Sequence, residues 1–214
     1  MSITDKLAAH LSRELGDAEV ARRLAEYLRD DALAWRPPAI AVPQIRSIFA
    51  FTFGNRMLAN GNREPGPVNE ALAEIAIALQ RATGAPIFAQ WEVAAAIGGR
   101  AKPVTPIYPG RDERAEPVYL STSGVTEEIA RRGAEGPVGV VAFADHLYRA
   151  VATSRRCGFD AYAPEGIAMP ATYDPDSGQP WCRDRMAYLL HDIMIRATER
   201  RAEIIQAMSQ AKQP

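Results

Sequence analysis

The stretch that decides the fold is residues 138–149, VGVVAFADHLYR. Its first seven residues, Val138 to Ala144, are small or apolar, and Gly136 and Pro137 precede them. A short β-branched run of this kind is typical of a strand buried on both faces, as in a parallel sheet. Polar residues follow where such a strand would pass into its crossover helix. Because open α/β sheets bind ligands at the carboxyl ends of their strands, the stretch predicts a site as well as a fold.

The same alternation of strand and helix signals runs from residue 45 to residue 165. The predicted strands are 47–53, 86–90, 117–121, 138–144 and 159–163, and the predicted helices are 67–83, 91–97, 126–132 and 145–157. Repeated β-loop-α units indicate a three-layer, Rossmann-like α/β fold, with a mostly parallel sheet and helices on both faces. Right-handed crossovers then place the strand-to-helix loops along one edge of the sheet.

Helical segments flank this region at both ends of the chain. Residues 1–38 are predicted to form an N-terminal extension of two helices, with Asp17 as the N-cap of the second helix and the prolines at 37 and 38 as its end. A long C-terminal helix is expected from about Trp181 to Ala211, within an α/β domain of residues 39–214. The N-terminal hairpin would serve either as a packing appendage or as a dimerisation arm.

Composition and charge exclude several classes of protein. The 214 residues are 47% hydrophobic and 24% charged, and the formal net charge of −1 provides no basic field for nucleic acid. No apolar run approaches the roughly 18–20 residues of a membrane span, and the N-terminus lacks the apolar region of a secretory signal. We therefore expect a cytoplasmic protein with neither a nucleic-acid nor a membrane partner.

The two cysteines and three histidines do not match a metal site in their spacing. Cys157 and Cys182 are expected to be reduced thiols, although a disulfide between them stays open. Cys182 lies near the start of a predicted helix, which makes it the better of two poor candidates for a reactive thiol.

The loop after the first predicted strand contains Gly54, Asn55 and Arg56 and continues through Arg63. Glycine and asparagine permit positive φ and a close approach of the backbone to a ligand. The two arginines could hold a phosphate or a carboxylate through bidentate hydrogen bonds. The spacing matches neither a Walker A nor a Rossmann glycine motif, and a long surface loop is the alternative.

Gln90, Trp91 and Glu92 follow the second predicted strand. Glu92 is a candidate for proton transfer, but a carboxylate in the first turn of a helix also suits the helix dipole. Trp91 would either belong to the core or form a stacking platform at the mouth of a pocket.

A third loop, Ser121-Thr122-Ser123, presents hydroxyl groups ahead of a predicted helix. Such hydroxyls can donate hydrogen bonds to an anion, and they are equally common as helix caps.

The fourth group consists of Asp145, His146 and Arg149, which follow the predicted strand 138–144. His146 and Arg149 lie three residues apart and share a helix face. His146 is a candidate acid/base catalyst or a structural histidine. Asp145 would orient the imidazole, accept a proton or cap the helix.

The order of these segments resembles the YdcF/ElyC/SanA-like family of domains of unknown function. The resemblance covers roughly residues 45–200, including a helix that starts NEALA at Asn69, and it is most specific within 138–164. In that family the late strand runs into a loop with a histidine, followed three residues later by an arginine, here His146 and Arg149. This chain departs from the family at Ala89-Gln90-Trp91, where Ser-Gly-Gly is usual, and around Ser123, where Asn-Thr-x-x-Asn is usual.

The resemblance implies a three-layer α/β fold with a site at the strand ends, to which Asn69 would contribute. Family members are linked to envelope biogenesis and to nucleotide-like ligands such as S-adenosylmethionine. The membrane anchor of some relatives has no counterpart here, so an envelope role does not transfer easily.

Two functional hypotheses follow. In the first, the chain binds a small anionic ligand, which is nucleotide-like or phosphate-bearing. Asn55, Arg56 and Arg149 would hold the anion, the loop 121–123 would add donors, and His146 would act as acid/base with Glu92 or Asp145. In the second, the chain is a non-catalytic interaction protein whose terminal helices bind a partner or form a homo-oligomer.

Overall fold

The computed structural model describes residues 2–111 and 117–211. The chain divides into two compact units, of which unit 1 comprises Met1–Trp35 and Leu190–Pro214, and unit 2 comprises Arg36–Leu189. Within the described ranges, no helix combines the length and the apolar character that crossing a membrane requires.

The elements alternate between strand and helix through unit 2. The strands are β1 (Ala39–Ile40), β2 (Ser47–Ala50), β3 (Arg56–Met57), β4 (Arg63–Glu64), β5 (Ile87–Gln90), β6 (Val104–Ile107), β7 (Gly110–Arg111), β8 (Pro117–Val118), β9 (Val138–Val141) and β10 (Ala161–Pro164). The α-helices are α1 (Ile3–Leu15), α2 (Ala18–Tyr27), α3 (Gly66–Thr83), α4 (Trp91–Ile97), α5 (Thr122–Arg131), α6 (Ala144–Arg156) and α7 (Arg185–Gln210). A π-helical turn (Leu28–Ala32) and two 3-10 turns (Val42–Gln44 and Pro180–Cys182) complete the described helical elements.

Six strands form one parallel sheet in the order β1-β10-β9-β2-β5-β6. β3 pairs with β4, and β7 with β8, as two short antiparallel ribbons outside this sheet. The fold class expected from the sequence, a three-layer Rossmann-like α/β fold with an N-terminal helical hairpin and a long C-terminal helix, is therefore confirmed.

The central strand β2 shows why the sheet carries a helical layer on each face. Successive strand residues point to opposite faces, so Ile48 and Ala50 pack into one apolar cluster, whereas Phe49 packs into another. The first cluster contains the apolar residues of α3 and α4, such as Leu72, and the second contains those of α5 and α6, such as Val125. Burial on both faces explains the continuous apolar runs of the sequence.

The prediction that residues 117–121 form a strand of the parallel sheet is wrong. Only Pro117–Val118 is extended and paired, and it pairs with β7 rather than with the parallel sheet. Its place in the sheet belongs to β6, which is not among the predicted strands because Pro106 interrupts its sequence pattern. β6 lies at the edge of the sheet, where a proline costs no ladder hydrogen bond on the outer side.

Helix α5 begins four residues earlier than predicted. Its N-cap is Ser121, whose side chain accepts a hydrogen bond from the backbone N–H of Gly124 at 3.2 Å. The remaining predicted strands and helices are present with ends that differ by a few residues.

The order of the strands creates a switch point beside β2. After β2 the chain continues to β5 and β6 on one side, and it then returns to β9 and β10 on the other, where β1 forms the edge of the sheet. The connections that leave β2 and β9 therefore run to opposite faces. In open α/β sheets this is the place where ligands bind, and the loops after β2 and β9 carry the polar residues that the sequence singles out.

Unit 1 consists of helices. Asp17 caps α2 as predicted, since its side chain accepts a hydrogen bond from the N–H of Val20 at 3.0 Å. The second half of α7 belongs to this unit together with the hairpin. Inside it, the buried Arg196 and Asp192 form an ion pair with a 2.5 Å separation.

Candidate functional site

The loop after β2 is held in place by two buried amides. The Oδ1 atom of Asn69 accepts hydrogen bonds from the N–H of Phe53 at 2.9 Å and from Oγ1 of Thr52 at 2.8 Å, and its Nδ2 donates to the carbonyl of Gly54 at 2.8 Å. Oε1 of Gln90 accepts from the N–H of Thr52 at 2.9 Å. Asn69 and Gln90, both predicted to bind ligand, thus shape the loop through its backbone.

Gly54 occupies a position that only glycine fits. Its φ of +70° lies in the left-handed region, and an added Cβ would lie 2.3 Å from Oγ of Ser177. The next residue, Asn55, accepts a hydrogen bond at its carbonyl from the N–H of Gly178 at 2.6 Å. The strand-end loop and the turn around 177–178 are therefore in direct contact.

Glu92 is the most unusual group of the site. Its side chain is fully buried in the first turn of α4, and its Oε1 accepts a hydrogen bond from Nδ2 of Asn55 at 3.4 Å. Its Oε2 has no hydrogen-bond partner among the residues that the structure describes. A buried carboxyl oxygen without a partner is costly in free energy, and it indicates a place where a ligand or a water molecule belongs.

Burial changes the acidity of this carboxyl group. It raises the pKa of Glu92 from 4.5 to about 7, although the polar groups nearby, which are its own backbone N–H, Asn55 and Thr52, and the charge of Arg63 act in the opposite direction. Near neutral pH both protonation states are populated, which is the condition for a general acid or base.

Asn55 links Glu92 to the surface. Its Oδ1 accepts from a guanidinium N–H of Arg63 at 3.3 Å, and its Nδ2 also lies 3.4 Å from the hydroxyl oxygen of Tyr119, which is 37% exposed. Tyr119 and Trp91 line a small cavity of about 10 Å³, roughly the space of one water molecule. Trp91 therefore lines the edge of the site and is only half-buried.

Arg149 joins α6 to the start of α5. Its guanidinium is 8% exposed and donates hydrogen bonds to Oγ1 of Thr122 at 2.8 Å and to the hydroxyl of Tyr188 at 3.3 Å. Because Thr122 is the first residue of α5, the guanidinium of Arg149 lies at the positive end of the α5 helix dipole. Together they favour a negative charge there.

The hydroxyls of Ser121 and Ser123 lie 2.9 Å apart on the exposed side of this helix start. Ser121 acts as the N-cap of α5, as one of the two interpretations of this loop expected. Ser123 is bonded to the capping hydroxyl rather than to the backbone of another element. The loop thus combines a cap with hydroxyl groups that border solvent.

His146 lies inside an aromatic group. Its ring is 5% exposed and meets the rings of Phe51 and Tyr188 edge-on, with centroids 6.2 and 6.3 Å away. Asp145, the neighbouring residue on α6, accepts hydrogen bonds from the hydroxyl of Tyr173 at 2.9 Å and from Nε of Arg185 at 3.0 Å. Consecutive helix residues point in different directions, and here the two side chains have separate surroundings.

Arg56 is already engaged by a carboxylate. Its guanidinium forms a bidentate pair with Asp174, with both separations 2.9 Å, and Asp174 is 7% exposed. Arg56 holds the pKa of Asp174 below its usual range. An anionic ligand at this guanidinium would have to displace Asp174, so Arg56 fastens the segment around 174 to β3.

Sequence reasoning missed several groups at this edge, among them Thr52, Tyr119, Asp174 and Tyr188. The motif Tyr173-Asp-Pro-Asp-Ser-Gly178 has the composition of a turn, and nothing in it predicts that Asp174 pairs with Arg56 or that Ser177 is buried. Tyr188 carries no local signal, because its partner Arg149 lies 39 residues away.

Cys182, the better of the two poor candidates for a reactive thiol, lies in surroundings that disfavour reactivity. The residue is 3% exposed, and burial raises the pKa of its thiol to about 12. A helix start does not activate it, because the loss of hydration outweighs the nearby positive charge of Arg149. Within residues 2–111 and 117–211, no cluster of His, Cys, Asp and Glu could hold a metal ion. Comparison of the chain with protein-family models, with curated proteins and with solved structures returned no match.

Proposed function

We propose that the chain binds a small anionic ligand at the carboxyl edge of its parallel sheet, and that Glu92 exchanges a proton with that ligand. The observation that carries the proposal is the buried carboxyl group of Glu92, whose Oε2 lacks a partner among the described residues. Its pKa of about 7 keeps it available as acid and as base at neutral pH.

The anionic character of the ligand rests on the start of α5. The guanidinium of Arg149 contacts Thr122 there, and the hydroxyls of Ser121 and Ser123 border the same helix end. A phosphate or carboxylate group would bring a charge of the sign that this location favours. The ligand class is that of phosphate-bearing and nucleotide-like compounds, which the resemblance to the YdcF/ElyC/SanA-like family also implies.

Tyr119 is the neighbour that a ligand would displace to reach Glu92. It is 37% exposed, and its hydroxyl contacts the same Asn55 amide that holds the carboxyl group. His146 would contribute by packing against Tyr188, the hydroxyl of which receives a hydrogen bond from Arg149. Glu92 rather than His146 is therefore our first choice for proton transfer.

The test is a thermal-shift and calorimetric panel of inorganic phosphate, nucleotides, sugar phosphates and S-adenosylmethionine. A ligand present at 100 times its Kd stabilises the protein by about 2.7 kcal/mol. We expect Arg149→Gln to weaken the best ligand at least tenfold and Arg149→Lys to weaken it less, because lysine keeps the charge but loses the planar fork. Arg132→Gln, at the far end of α5, is the matched control and should bind as the wild type does.

The pH dependence of binding tests the role of Glu92. Above about pH 7 an ionised Glu92 adds a negative charge to the site, so the affinity for an anion should fall as the pH rises through that value. The Glu92→Gln variant should lack this fall in affinity. Absence of any stabilising compound at millimolar concentration would count against the proposal as a whole.

A further inference from the structure

Unit 1 contains an apolar groove between α2 and α7. It has a volume of about 490 Å³ and is lined by Val20, Arg23, Leu24, Tyr27, Ala197, Arg200, Arg201, Ile204 and Ile205. We call it the α2–α7 groove. Its isoleucines, Ile204 and Ile205, are 40% and 54% exposed. Single exposed apolar residues are ordinary, but apolar side chains gathered in a groove mark an interaction surface.

The groove extends along α7 towards the C-terminus of the helix. A second depression of about 500 Å³ shares Arg23, Arg200 and Ile204 with it and continues to Met208. From Ala197 to Met208 a helix rises about 16 Å, or three turns. A groove that follows three turns of α7 is long enough for the side of another α-helix.

The residue spacing on α7 supports a helical occupant independently. Six exposed residues of α7 are spaced at alternating steps of four and three: Leu190, Met194, Ala197, Arg201, Ile204 and Met208. This is the spacing of the a and d positions of a coiled-coil seam. Leu190 and Met194 are 53% and 67% exposed although they belong to an apolar stripe. One face of α7 is thus patterned for a second helix.

The charges around the groove specify the kind of helix. Three arginines and one glutamate, Glu203, line the groove and its extension, and Glu203 pairs with Arg200 at 2.9 Å. Arg201 occupies a position of the seam itself. An excess of positive charge beside an apolar floor is complementary to a helix with acidic residues next to its apolar stripe.

The same charges disfavour a second copy of this chain as the occupant. A parallel pairing of two α7 helices would place Arg201 opposite Arg201. An antiparallel pairing centred on the seam would bring both Arg200-Arg201 pairs within about two helical turns of each other. Like charges across an interface cost free energy.

We propose that the α2–α7 groove binds an acidic amphipathic helix of a partner protein, with its apolar residues on α7 and its carboxylates on Arg23 and Arg201. A membrane surface fits less well, because a groove between two helices is concave and interfacial helices present a continuous apolar face. This surface belongs to unit 1 and does not depend on the ligand site of unit 2.

The test uses the full chain and a fluorescein-labelled synthetic helix of about 18 residues, with leucines at alternating steps of three and four and glutamates beside them. A matched peptide carries lysine in place of glutamate. In fluorescence anisotropy, the acidic peptide should bind at least tenfold more tightly than the basic one. Arg201→Glu should weaken the acidic peptide at least tenfold and Ile204→Asp should abolish its binding. Arg13→Glu, an exposed arginine of α1 outside the groove, should leave it unchanged.

Several results would overturn the proposal. Equal binding of the two peptides, or no binding of either, would remove the charge argument. A dimer in sedimentation equilibrium that Arg201→Glu alters would show that a second copy occupies the groove. Binding to phosphatidylserine vesicles that Ile204→Asp abolishes would assign the surface to a membrane. Circular dichroism of both groove variants checks that the helices are retained.

Discussion

Two carboxylates with no solvent exposure, one in each unit, have opposite surroundings. In unit 1, Asp192 pairs with Arg196, which also donates to the carbonyls of Asp31 at 2.7 Å and Ala34 at 2.5 Å and stacks on the ring of Trp35 at 4.4 Å. In unit 2, Glu92 receives one long hydrogen bond, from Asn55, and its other oxygen has no partner among the described residues.

The difference separates a structural from a functional use of buried charge. A buried ion pair with further hydrogen bonds holds elements together, and its members are costly to remove singly. A buried carboxyl group with an unmet hydrogen bond is destabilising as it stands, and its shifted pKa makes it available for chemistry. We therefore expect substitutions at the two sites to move stability in opposite directions.

Arg196→Met should have the largest effect. It leaves Asp192 buried without its cation, and we expect a loss of about 3–5 kcal/mol in the free energy of unfolding. Urea denaturation at pH 7, followed by circular dichroism, measures this loss. The affinity for any ligand found for unit 2 should not change in buffer without urea. A loss below about 1 kcal/mol would show that the pair does not hold unit 1 together.

Glu92→Gln should act in the opposite direction. In the wild type the pKa rises from 4.5 to about 7 on folding, so the carboxyl group is protonated in both states below pH 4.5. Between these values the unfolded state ionises first, so stability falls as the pH rises and reaches its low plateau above about 7. At pH 8 the glutamine variant should be more stable by an amount on the order of 3 kcal/mol, with no such fall.

Urea midpoints of both proteins from pH 4 to pH 9 test this prediction. The wild-type and variant curves should converge near pH 4.5 and separate towards pH 7. Curves that stay parallel over the whole range would contradict the assigned pKa of Glu92.

Asn55→Ala should produce a smaller change at the same site. It removes the amide that donates to Glu92 and that accepts from Arg63, and we expect a loss of about 1–2 kcal/mol at pH 5. Because that hydrogen bond lowers the pKa of Glu92, the pH at which stability reaches its low plateau should move upward. An unchanged plateau would mean that Asn55 does not hold the carboxyl group in solution.

Arg22→Met should have the smallest effect and serves as the control for Arg196. Arg22 pairs with Glu26 at 2.6 Å with the same spacing of four residues, but both side chains are about half exposed. Exposed pairs are screened by water and contribute little. We expect no resolvable change in the urea midpoint, and a change comparable to that of Arg196→Met would remove the distinction between buried and exposed pairs.

Much of the fold could be predicted from the sequence, because it depends on patterns within single elements. The apolar run at 138–144 marked the strand and the polar residues at its end, and Asp17 marked a helix start. The edge strand β6 was missed, because Pro106 disrupts a pattern that only its edge position tolerates. The loops that form the site could be predicted, whereas the contacts between them could not.

By itself, the sequence determined that the chain alternates strands and helices and that polar loops follow the buried strands, since periodicity records which face of each element avoids water. The tertiary structure alone decided the partners: Asp174 for Arg56 across 118 residues, Tyr188 for Arg149 across 39, and Asn55 for Glu92 across 37. Hydrogen bonds and pKa values depend on distance and hydration in three dimensions, and these arise only when the crossovers bring separate loops to one edge of the sheet.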